Sequence, residues 1–339
     1  MVKLSLEVEY LDLLGEVSSR VLLMGNEAIA RGAIEAGVHV VTGYPGTPSS
    51  EVIMVLSRIA NKIGIKVDWF ANEKVAFEVA LAASSAGLRS LVTMKAPGIN
   101  VAADALVSAA YCGVNGGMVI LVADDPGPHT TQTEQDSRFY ALLANLPMIE
   151  PSNPQEAKDG IIWAFDLSEK LSLPVIFRTT TRVNHTSGDV ILGEIRKFNR
   201  EVKFPRDLPR YVRASMKWNL NRHKWLNGQM NLAKKYAEEC PLNKVNGEGK
   251  YAIITSGVSY TYVTEAIESL KLNNIRVVKI GMLNPLPMET LSKILLSSEK
   301  VLIIEELEPF IEVQLRAFSS ILDSKAEILG KMKGNMIPR

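Results

Sequence analysis

The sequence predicts an α/β protein in which a doubly wound, mostly parallel sheet is covered by helices on both faces. Two observations support this fold class. From residue 22 onward, short apolar runs alternate with segments in which apolar residues recur at helical spacing, and this alternation is typical of parallel strands joined by helices. At 339 residues, the chain is also long enough for about two domains with their own cores.

Helix starts and ends are marked in the first half of the chain. Gly37 and Gly87 each follow a helix-period segment, and glycine readily adopts the left-handed conformation that ends a helix. Asn153, Pro154 and Glu156 are typical of a helix start, because asparagine caps the helix and proline suits its first turn. The predicted strands cover residues 38–42, 66–70, 89–94, 118–123 and 174–180, and the predicted helices cover residues 26–36, 49–63, 73–86, 99–112 and 153–171.

Residues 194–224 differ in composition from the segments on either side. Basic residues outnumber acidic ones, and Trp218 and Trp225 lie in or next to the segment. One interpretation is a nucleic-acid-binding patch, in which basic and aromatic residues combine. The other is a charged helical arm between two domains, with its aromatic residues packed against one of them. The net charge of the whole chain, only +1, favours the arm.

The alternation resumes after residue 250 in what we predict to be a smaller α/β domain. The predicted strands cover residues 251–256, 276–280 and 301–305, and helices are predicted near residues 262–270, near 288–296 and from 309 onward. We therefore divide the chain into an N-terminal extension (1–19), a first α/β domain (20–185), a charged, partly helical linker (186–248) and a second α/β domain (249–339).

Several classes of protein are disfavoured by composition. Cys112 and Cys240 cannot supply the four thiolates of an iron-sulfur cluster. The chain contains neither GxGxxG nor GxxxxGK[ST], so nucleotide-phosphate loops lack their signature. Glu7 and Glu9 interrupt any secretory leader, which predicts a cytoplasmic protein. The uncharged stretch 105–123 contains two adjacent glycines, and we expect a buried helix, a turn and a strand there rather than a membrane span.

Two loops that follow predicted strands are candidates for a ligand site, residues 42–50 and 70–74. Open α/β sheets bind ligands at the carboxyl ends of their strands. Glu73 has two interpretations. It can be a helix-start residue that follows the cap Asn72 and is stabilised by the positive helix end. It can equally be a carboxyl group in apolar surroundings that exchanges a proton with a ring nitrogen of a ligand.

Other polar residues near these loops are similarly ambiguous. Thr47 precedes a proline and can be an N-cap, or its hydroxyl can face a ligand that approaches the neighbouring glycines. Lys95 can bind a substrate carboxylate or simply reach solvent. Asp124, Asp125 and His129 suggest a metal site, but Asp124-Asp-Pro-Gly127 is also a turn sequence. We favour the turn and predict no metal on this chain.

The candidate loops belong to a larger set of segments that together resemble one protein family. The set comprises residues 22–32, Gly43-Tyr-Pro-Gly-Thr-Pro-Ser-Ser50, Asn72-Glu-Lys-Val-Ala76, Met94-Lys95, Asn100-Val-Ala-Ala-Asp104, Gln132-Thr-Glu-Gln-Asp136, Thr255-Ser-Gly-Val-Ser-Tyr260, Asn284-Pro-Leu-Pro287 and Glu305-Glu-Leu-Glu-Pro309. From about residue 20 to the C-terminus the chain resembles the large (alpha) subunit of indolepyruvate:ferredoxin oxidoreductase. That subunit belongs to the thiamine-diphosphate-dependent 2-oxoacid:ferredoxin oxidoreductases.

The resemblance implies a fold and a set of site residues. The first domain is expected to be of the pyrimidine-binding type and the second to be transketolase-C-like. Glu73 takes the position of the glutamate that contacts N1′ of the cofactor's aminopyrimidine, and it is the one expected catalytic residue. Cofactor contacts are expected from Glu73, Thr47, Pro45 and Gly46, and weaker substrate contacts from Thr47, Lys95, Asn100 and His129.

Departures from the family pattern imply partner chains. Family large subunits also carry a diphosphate-binding domain with a GDG motif and a cysteine-rich ferredoxin-like segment, and this chain has neither. Mg²⁺ and 4Fe-4S clusters are therefore expected only on a partner chain, together with the family's small beta subunit, in a homo- or hetero-oligomer. An exposed apolar face near the strand ends would indicate such a neighbour. Ala96-Pro97 stands where the family pattern leads us to expect His-Val, which weakens the expected substrate contacts.

The expected function follows from these implications. The chain is the pyrimidine-binding part of an enzyme that oxidatively decarboxylates an aryl 2-oxo acid, such as indolepyruvate, to acyl-CoA and passes electrons to ferredoxin. We expect it to be inactive as this chain alone. The alternative is a non-catalytic subunit or relic that retains the fold as a binding or assembly module. Neither hypothesis involves nucleic acid or a membrane.

Overall fold

The structure is a computed structural model, and it describes residues 12–332. Glu7, Glu9, most of the predicted N-terminal extension and the last seven residues lie outside the described part. The first unit contains β1 (Arg20–Met24), α1 (Gly25–Glu35), β2 (Val40–Gly43), α2 (Ser50–Ile63), β3 (Lys66–Trp69), α3 (Glu73–Ser85), β4 (Ser90–Lys95), α4 (Ala96–Cys112), β5 (Met118–Asp124), α5 (Arg138–Ala144), β6 (Met148–Ile149), α6 (Pro154–Leu171), β7 (Val175–Thr180), α7 (Thr181–His185) and β8 (Ser187–Ile191).

The remainder of the described chain forms the linker and the second unit. Its elements are α8 (Leu208–Tyr211), α9 (Met216–Glu238), β9 (Lys244–Asn246), β10 (Tyr251–Ser256), α10 (Ser259–Ser269), β11 (Ile275–Ile280), β12 (Met282–Asn284), α11 (Met288–Ser297), β13 (Lys300–Ile304), α12 (Phe310–Ile321) and β14 (Glu327–Leu329).

The predicted fold class is confirmed by the main sheet. Within residues 12–332 it has seven strands in the order β12-β6-β7-β5-β4-β2-β3, and all neighbouring strands are parallel except β12 and β6. Every residue of the central strand β5 is buried. Because strands β2, β3, β4, β5 and β7 are parallel, their carboxyl ends and the loops that follow them lie at the same edge of the sheet.

The second unit has its own sheet but also contributes to the first. The second sheet has the order β14-β13-β10-β11-β9 and is parallel except for β9. Strand β12 comes directly after this sheet's strand β11, yet it pairs with β6 at the edge of the main sheet. The Asn284 side-chain amide donates hydrogen bonds to the carbonyl oxygens of Ala141 (3.2 Å) and Leu146 (2.6 Å). The two units are therefore joined by a shared sheet.

The segment between the units lies against the first one. Arg210 and Arg222 donate hydrogen bonds to carbonyl oxygens of the last turn of α4, at distances of 2.6–3.1 Å. These carbonyls have no partner within their own helix, and cations are favoured at this negative helix end. Trp225 packs so closely on Gly113 that a Cβ there would lie 2.6 Å from its ring. Several basic and aromatic side chains of this segment therefore form contacts within the protein.

Some predicted boundaries and elements differ from the structure. Helix α4 begins at Ala96 rather than at residue 99, with Pro97 in its first turn, where a missing N–H costs nothing. The antiparallel ribbon of β1 and β8, the short strand β6 and helix α5 were not predicted. Strand β6 has two residues and α5 has seven, too few to show periodicity, and β1 and β8 form a partly exposed ribbon outside the two larger sheets. The uncharged stretch 105–123 forms the end of α4, a turn and most of β5, as predicted, and no helix among residues 12–332 is long and apolar enough to span a bilayer.

Candidate functional site

The candidate residues lie on loops at the carboxyl edge of the main sheet. The loop after β2 carries Thr47, the loop after β3 leads into Glu73, and Lys95 ends β4. The register places Gly43 opposite both Trp69 and Thr93, so β2, β3 and β4 end side by side. The parallel strands therefore bring the candidate loops to one edge of the sheet.

Glu73 is the first residue of α3 and is almost buried. Asn72 caps this helix by accepting a hydrogen bond from the backbone N–H of Val75 (2.9 Å), so the predicted helix start is confirmed. Only 8% of Glu73 is exposed, and no residue of the described chain donates a hydrogen bond or forms an ion pair with its carboxylate. The Glu73 side chain is therefore largely shielded from solvent, and its oxygen atoms have no partner among residues 12–332.

The carboxyl group of Glu73 lies against the first turn of α4. A Cβ atom added to Gly98 would lie 2.7 Å from both Cγ and Oε1 of Glu73. Sequence reasoning missed Gly98. A glycine in the first turn of a helix was the available signal, because glycine costs roughly 1 kcal/mol relative to alanine in helices and usually has a packing reason there.

Thr47 does not cap the following helix. Helix α2 begins at Ser50 with Ser49 in the N-cap position, and the Ser50 hydroxyl closes the loop by accepting a hydrogen bond from the backbone N–H of Gly46 (2.7 Å). Ser49 rather than Thr47 therefore occupies the N-cap position. Within residues 12–332 the Thr47 hydroxyl makes no hydrogen bond, so the side chain remains available to a ligand.

Pro45, Gly46 and Lys95 lie together beside Thr47. Pro45 is exposed and Gly46 is half-buried. A Cβ on Gly46 would lie 3.0 Å from Cγ and 3.1 Å from Cδ of Lys95, so the aliphatic part of Lys95 crosses the loop at this point. The Lys95 ammonium group forms no ion pair with any described residue. Lys95, which ends β4, therefore lies against the loop that carries the Thr47 hydroxyl and has no counter-charge among the described residues.

Asn100 and His129 differ in whether their side chains form hydrogen bonds within the protein. The Asn100 amide donates to Oε1 of Gln135 (2.8 Å), and its oxygen accepts from the hydroxyl of Tyr140, so both polar ends have partners. His129 is exposed, and only its backbone N–H is bound, to a carboxylate oxygen of Asp125 (2.8 Å). Asn100 therefore helps to hold the loop between β5 and α5 onto α4, whereas the His129 ring is free of described partners.

The two aspartates at the end of β5 both bind other groups of the protein. Asp124 is fully buried and pairs with Arg178 (2.9 Å). Burial raises the pKa of Asp124 to about 6, against the opposing effect of the Arg178 guanidinium. Asp125 accepts hydrogen bonds from the Thr181 hydroxyl (2.6 Å) and from backbone N–H groups of its own loop. No group of three or more metal-ligating side chains occurs among the described residues.

The fold and this edge define the class of protein. Residues 31–236 match the family described as pyruvate flavodoxin/ferredoxin oxidoreductase, thiamine diphosphate-binding. The chain belongs to this family, and the resemblance noted from its motifs is confirmed. The matched range contains Glu73, Thr47 and every other candidate site residue.

Individual proteins of similar sequence give a more specific relationship than the family match. The chain is 44% identical over 336 residues to the indolepyruvate oxidoreductase subunit IorA of Pyrococcus abyssi, and 44% identical over 333 residues to that of Thermococcus kodakarensis. Each alignment covers 94% of this chain and 50% of the relative. The chain thus spans about half the length of the curated relatives it matches.

Solved structures support the fold. A 2-oxoglutarate:ferredoxin oxidoreductase from Magnetococcus marinus superposes with a TM-score of 0.74 at 17% identity, over 92% of this chain and 62% of that one. A split-gene transketolase, described as an inactive beta4 tetramer, superposes with a TM-score of 0.59 at 14% identity, over 91% of this chain and 88% of that one. Both are consistent with a pyrimidine-binding fold followed by a transketolase-C-like unit.

Proposed function

We propose that this chain is the pyrimidine-binding part of an oxidoreductase that oxidatively decarboxylates an aryl 2-oxo acid of the indolepyruvate type. Family membership and the 44% identity to IorA subunits support the class of reaction. The observation that carries the proposal is the nearly buried side chain of Glu73, which lies at the carboxyl edge of the sheet and has no hydrogen-bond or ion-pair partner in the described part of the chain.

The residues present fit the pyrimidine half of thiamine diphosphate. When bound, the cofactor supplies the nucleophilic carbon and the electron sink for decarboxylation. Glu73 would hold a proton at the pyrimidine nitrogen N1′, and its unused oxygen atoms match that task. Thr47, Pro45 and Gly46 would line the same ring. The loop offers the Thr47 hydroxyl, which makes no hydrogen bond within residues 12–332, and the aliphatic part of Lys95 lies against it at Gly46.

The substrate carboxylate would be bound by cations at the same edge. Lys95 has no counter-charge among the described residues and lies beside the loop that carries Thr47. The His129 ring is exposed and is also available. Asn100 contributes indirectly, since its amide holds the loop between β5 and α5 in place. Thr47 would contact both substrate and cofactor.

A partner chain would complete the site. The chain spans half of its relatives' length, and it contains no GDG motif and only two cysteines. We propose that partners supply the cofactor's diphosphate and Mg²⁺ contacts, the iron-sulfur clusters, and access to CoA and ferredoxin. Tyr44, Trp69, Val75 and Val101 lie at or near this sheet edge and are each 38–48% exposed. Such an apolar surface supports a neighbouring domain there.

The test is a charge-neutral substitution of the candidate catalytic residue. Glu73→Gln in the reconstituted complex should lower indolepyruvate-dependent ferredoxin reduction by about 10²–10⁴-fold, because general acid–base groups contribute about that much. Assembly, followed by size-exclusion chromatography, should be unchanged. Glu78→Gln is the matched control, since Glu78 lies on the same helix with its side chain 54% exposed.

Two outcomes would contradict the proposal. Near-normal turnover of the Glu73→Gln complex would remove Glu73 from the chemistry. If the unaltered chain assembles with its partners but the complex retains no thiamine diphosphate, the chain acts instead as a binding or assembly module. Mass spectrometry of the natively purified complex measures both its subunits and its cofactor content.

A further inference from the structure

We infer that Gly98 is a positioning residue: it allows the first turn of α4 to contact the Glu73 carboxyl group and thereby determines where that group lies. The functional consequence rests on the proposed role of Glu73. The contact itself can be tested independently of any activity.

The contact leaves no room for a Cβ atom at position 98 unless the Glu73 carboxyl group moves. A Cβ atom would lie 2.7 Å from Cγ, 2.7 Å from Oε1 and 3.0 Å from Cδ of Glu73, and these are the three nearest atoms. These atoms belong to the end of a flexible side chain, so the Glu73 carboxyl group, rather than the backbone, is what has to shift. A methyl group at position 98 would therefore displace the carboxyl group.

The backbone conformation does not require glycine at position 98. Gly98 is not among the described residues with positive φ, and it lies in the first turn of the 17-residue helix α4. Alanine is the better helix former, so the glycine is explained by the space that Glu73 occupies.

Gly98 has more influence on the position of Glu73 than two other glycines have on the glutamates that they contact. Gly193 and Gly257 also lie against glutamate side chains, Glu35 and Glu150. Those two carboxylates are held by ion pairs with Arg31 and Arg178. Glu73 has no such pair within residues 12–332, so packing against α4 is what defines its position.

Electrostatics act in the same direction as packing. The first turn of a helix carries unsatisfied N–H groups and a partial positive charge, which attract a carboxylate. Glycine at position 98 lets the carboxylate approach this helix end closely. The turn thus holds the group by attraction and contact, while both oxygens stay free of a protein donor.

The contact is tested by a double-mutant cycle in the full 339-residue chain. Gly98→Ala should lower the melting temperature by at least about 2 °C, because the methyl group meets Glu73. In a Glu73→Ala background the same substitution should leave the melting temperature unchanged or raise it, because the obstacle is gone. Gly228→Ala is the matched control, as a Cβ there has nothing within 4 Å. Equal shifts for Gly98→Ala in both backgrounds would overturn the inference.

The functional consequence is tested in the reconstituted complex. Gly98→Ala should reduce turnover at least tenfold while assembly and bound thiamine diphosphate are retained, and Gly228→Ala should change none of these. Turnover of the Gly98→Ala complex equal to that of the unaltered complex would refute a positioning role. Failure of the proposed function is recognised separately, because Glu73→Gln would then stay active whatever the double-mutant cycle reports.

Discussion

Gly43 ends strand β2 at a point where no side chain fits. A Cβ atom there would lie 2.4 Å from Cδ1 of Ile53, 2.6 Å from Oγ1 of Thr93 and 2.8 Å from the Thr93 carbonyl oxygen. One of these neighbours is the backbone of β4, which cannot move aside without disturbing the sheet. The loop that carries Thr47 is therefore anchored at its first residue by close packing against α2 and β4.

Gly43→Ala should destabilise the protein by about 1–3 kcal/mol, the usual cost of inserting a methyl group into a well-packed region. The free energy of unfolding in urea measures this effect. Gly228→Ala, at an open position on α9, should be neutral or slightly stabilising. A Gly43→Ala variant as stable as the unaltered chain would show that β2 and β4 can separate at this edge.

At the scale of elements, the loop between β5 and α5 is organised by Asp125. Its carboxylate accepts hydrogen bonds from the backbone N–H groups of His129 (2.8 Å) and Thr130 (2.7 Å) and from the hydroxyl of Thr181 (2.6 Å). Burial alone would raise the pKa of Asp125, but these hydrogen bonds outweigh it and hold the pKa below its ordinary value. One side chain thus determines where His129 lies.

Asp125→Ala should loosen this loop without unfolding the sheet. We expect hydrogen exchange at residues 127–135 to accelerate and to approach that of exposed segments, since backbone donors lose their acceptor. Exchange measured by mass spectrometry reports the change. Glu134→Ala is the control within the same loop, because Glu134 accepts a single, exposed hydrogen bond from Gly127. Equal protection of the loop in both variants would contradict the assigned role of Asp125.

At the scale of the whole molecule, buried charges join the two units. Glu156 on α6 pairs with Lys279 of β11, whose side chain is completely buried, and with Lys244 of β9 (2.8 Å). Burial by itself raises the pKa of Glu156, but the Lys279 ammonium and the hydrogen bonds from Lys244, Lys279 and Ser152 bring it down to about 2. The fold therefore strongly favours the ionised carboxylate at the junction.

Glu156→Gln should destabilise the protein at neutral pH by ~3 kcal/mol, because it leaves Lys279 buried without its counter-charge. A carboxyl group with a lowered pKa stabilises fully above its ordinary pKa of 4.5, and this stability is lost as the pH falls towards 2. The difference between the two proteins should shrink over that window.

Urea unfolding between pH 7 and pH 3 follows this difference. Glu239→Gln is the control, because Glu239 is exposed and lies 3.9 Å from Lys235 in a surface pair, and such pairs contribute little. A difference between the Glu156→Gln variant and the unaltered chain that is independent of pH would mean that the carboxylate charge does not hold the units together.

The fold class, most strands of both sheets and their connecting helices, the two loops with Glu73 and Thr47, and the family could all be predicted from the sequence alone. These features are carried by local periodicity, by cap residues such as Asn72, and by motifs of a few consecutive residues. Local patterns suffice for them, because the burial of a helix face or a strand repeats every few residues along the chain.

The contacts between residues that are distant in the sequence could not be predicted and became known from the folded structure. Strand β12 leaves the second unit to pair with β6, Gly98 contacts Glu73, and Lys279 is buried against Glu156. The β12–β6 pairing and the Lys279–Glu156 contact join residues more than a hundred positions apart. None of the three contacts produces a periodic pattern in the sequence. Whether Thr47 capped a helix or stayed free was also open in the sequence. In the folded chain Ser49 takes the N-cap position of α2, and the Thr47 hydroxyl makes no hydrogen bond within residues 12–332.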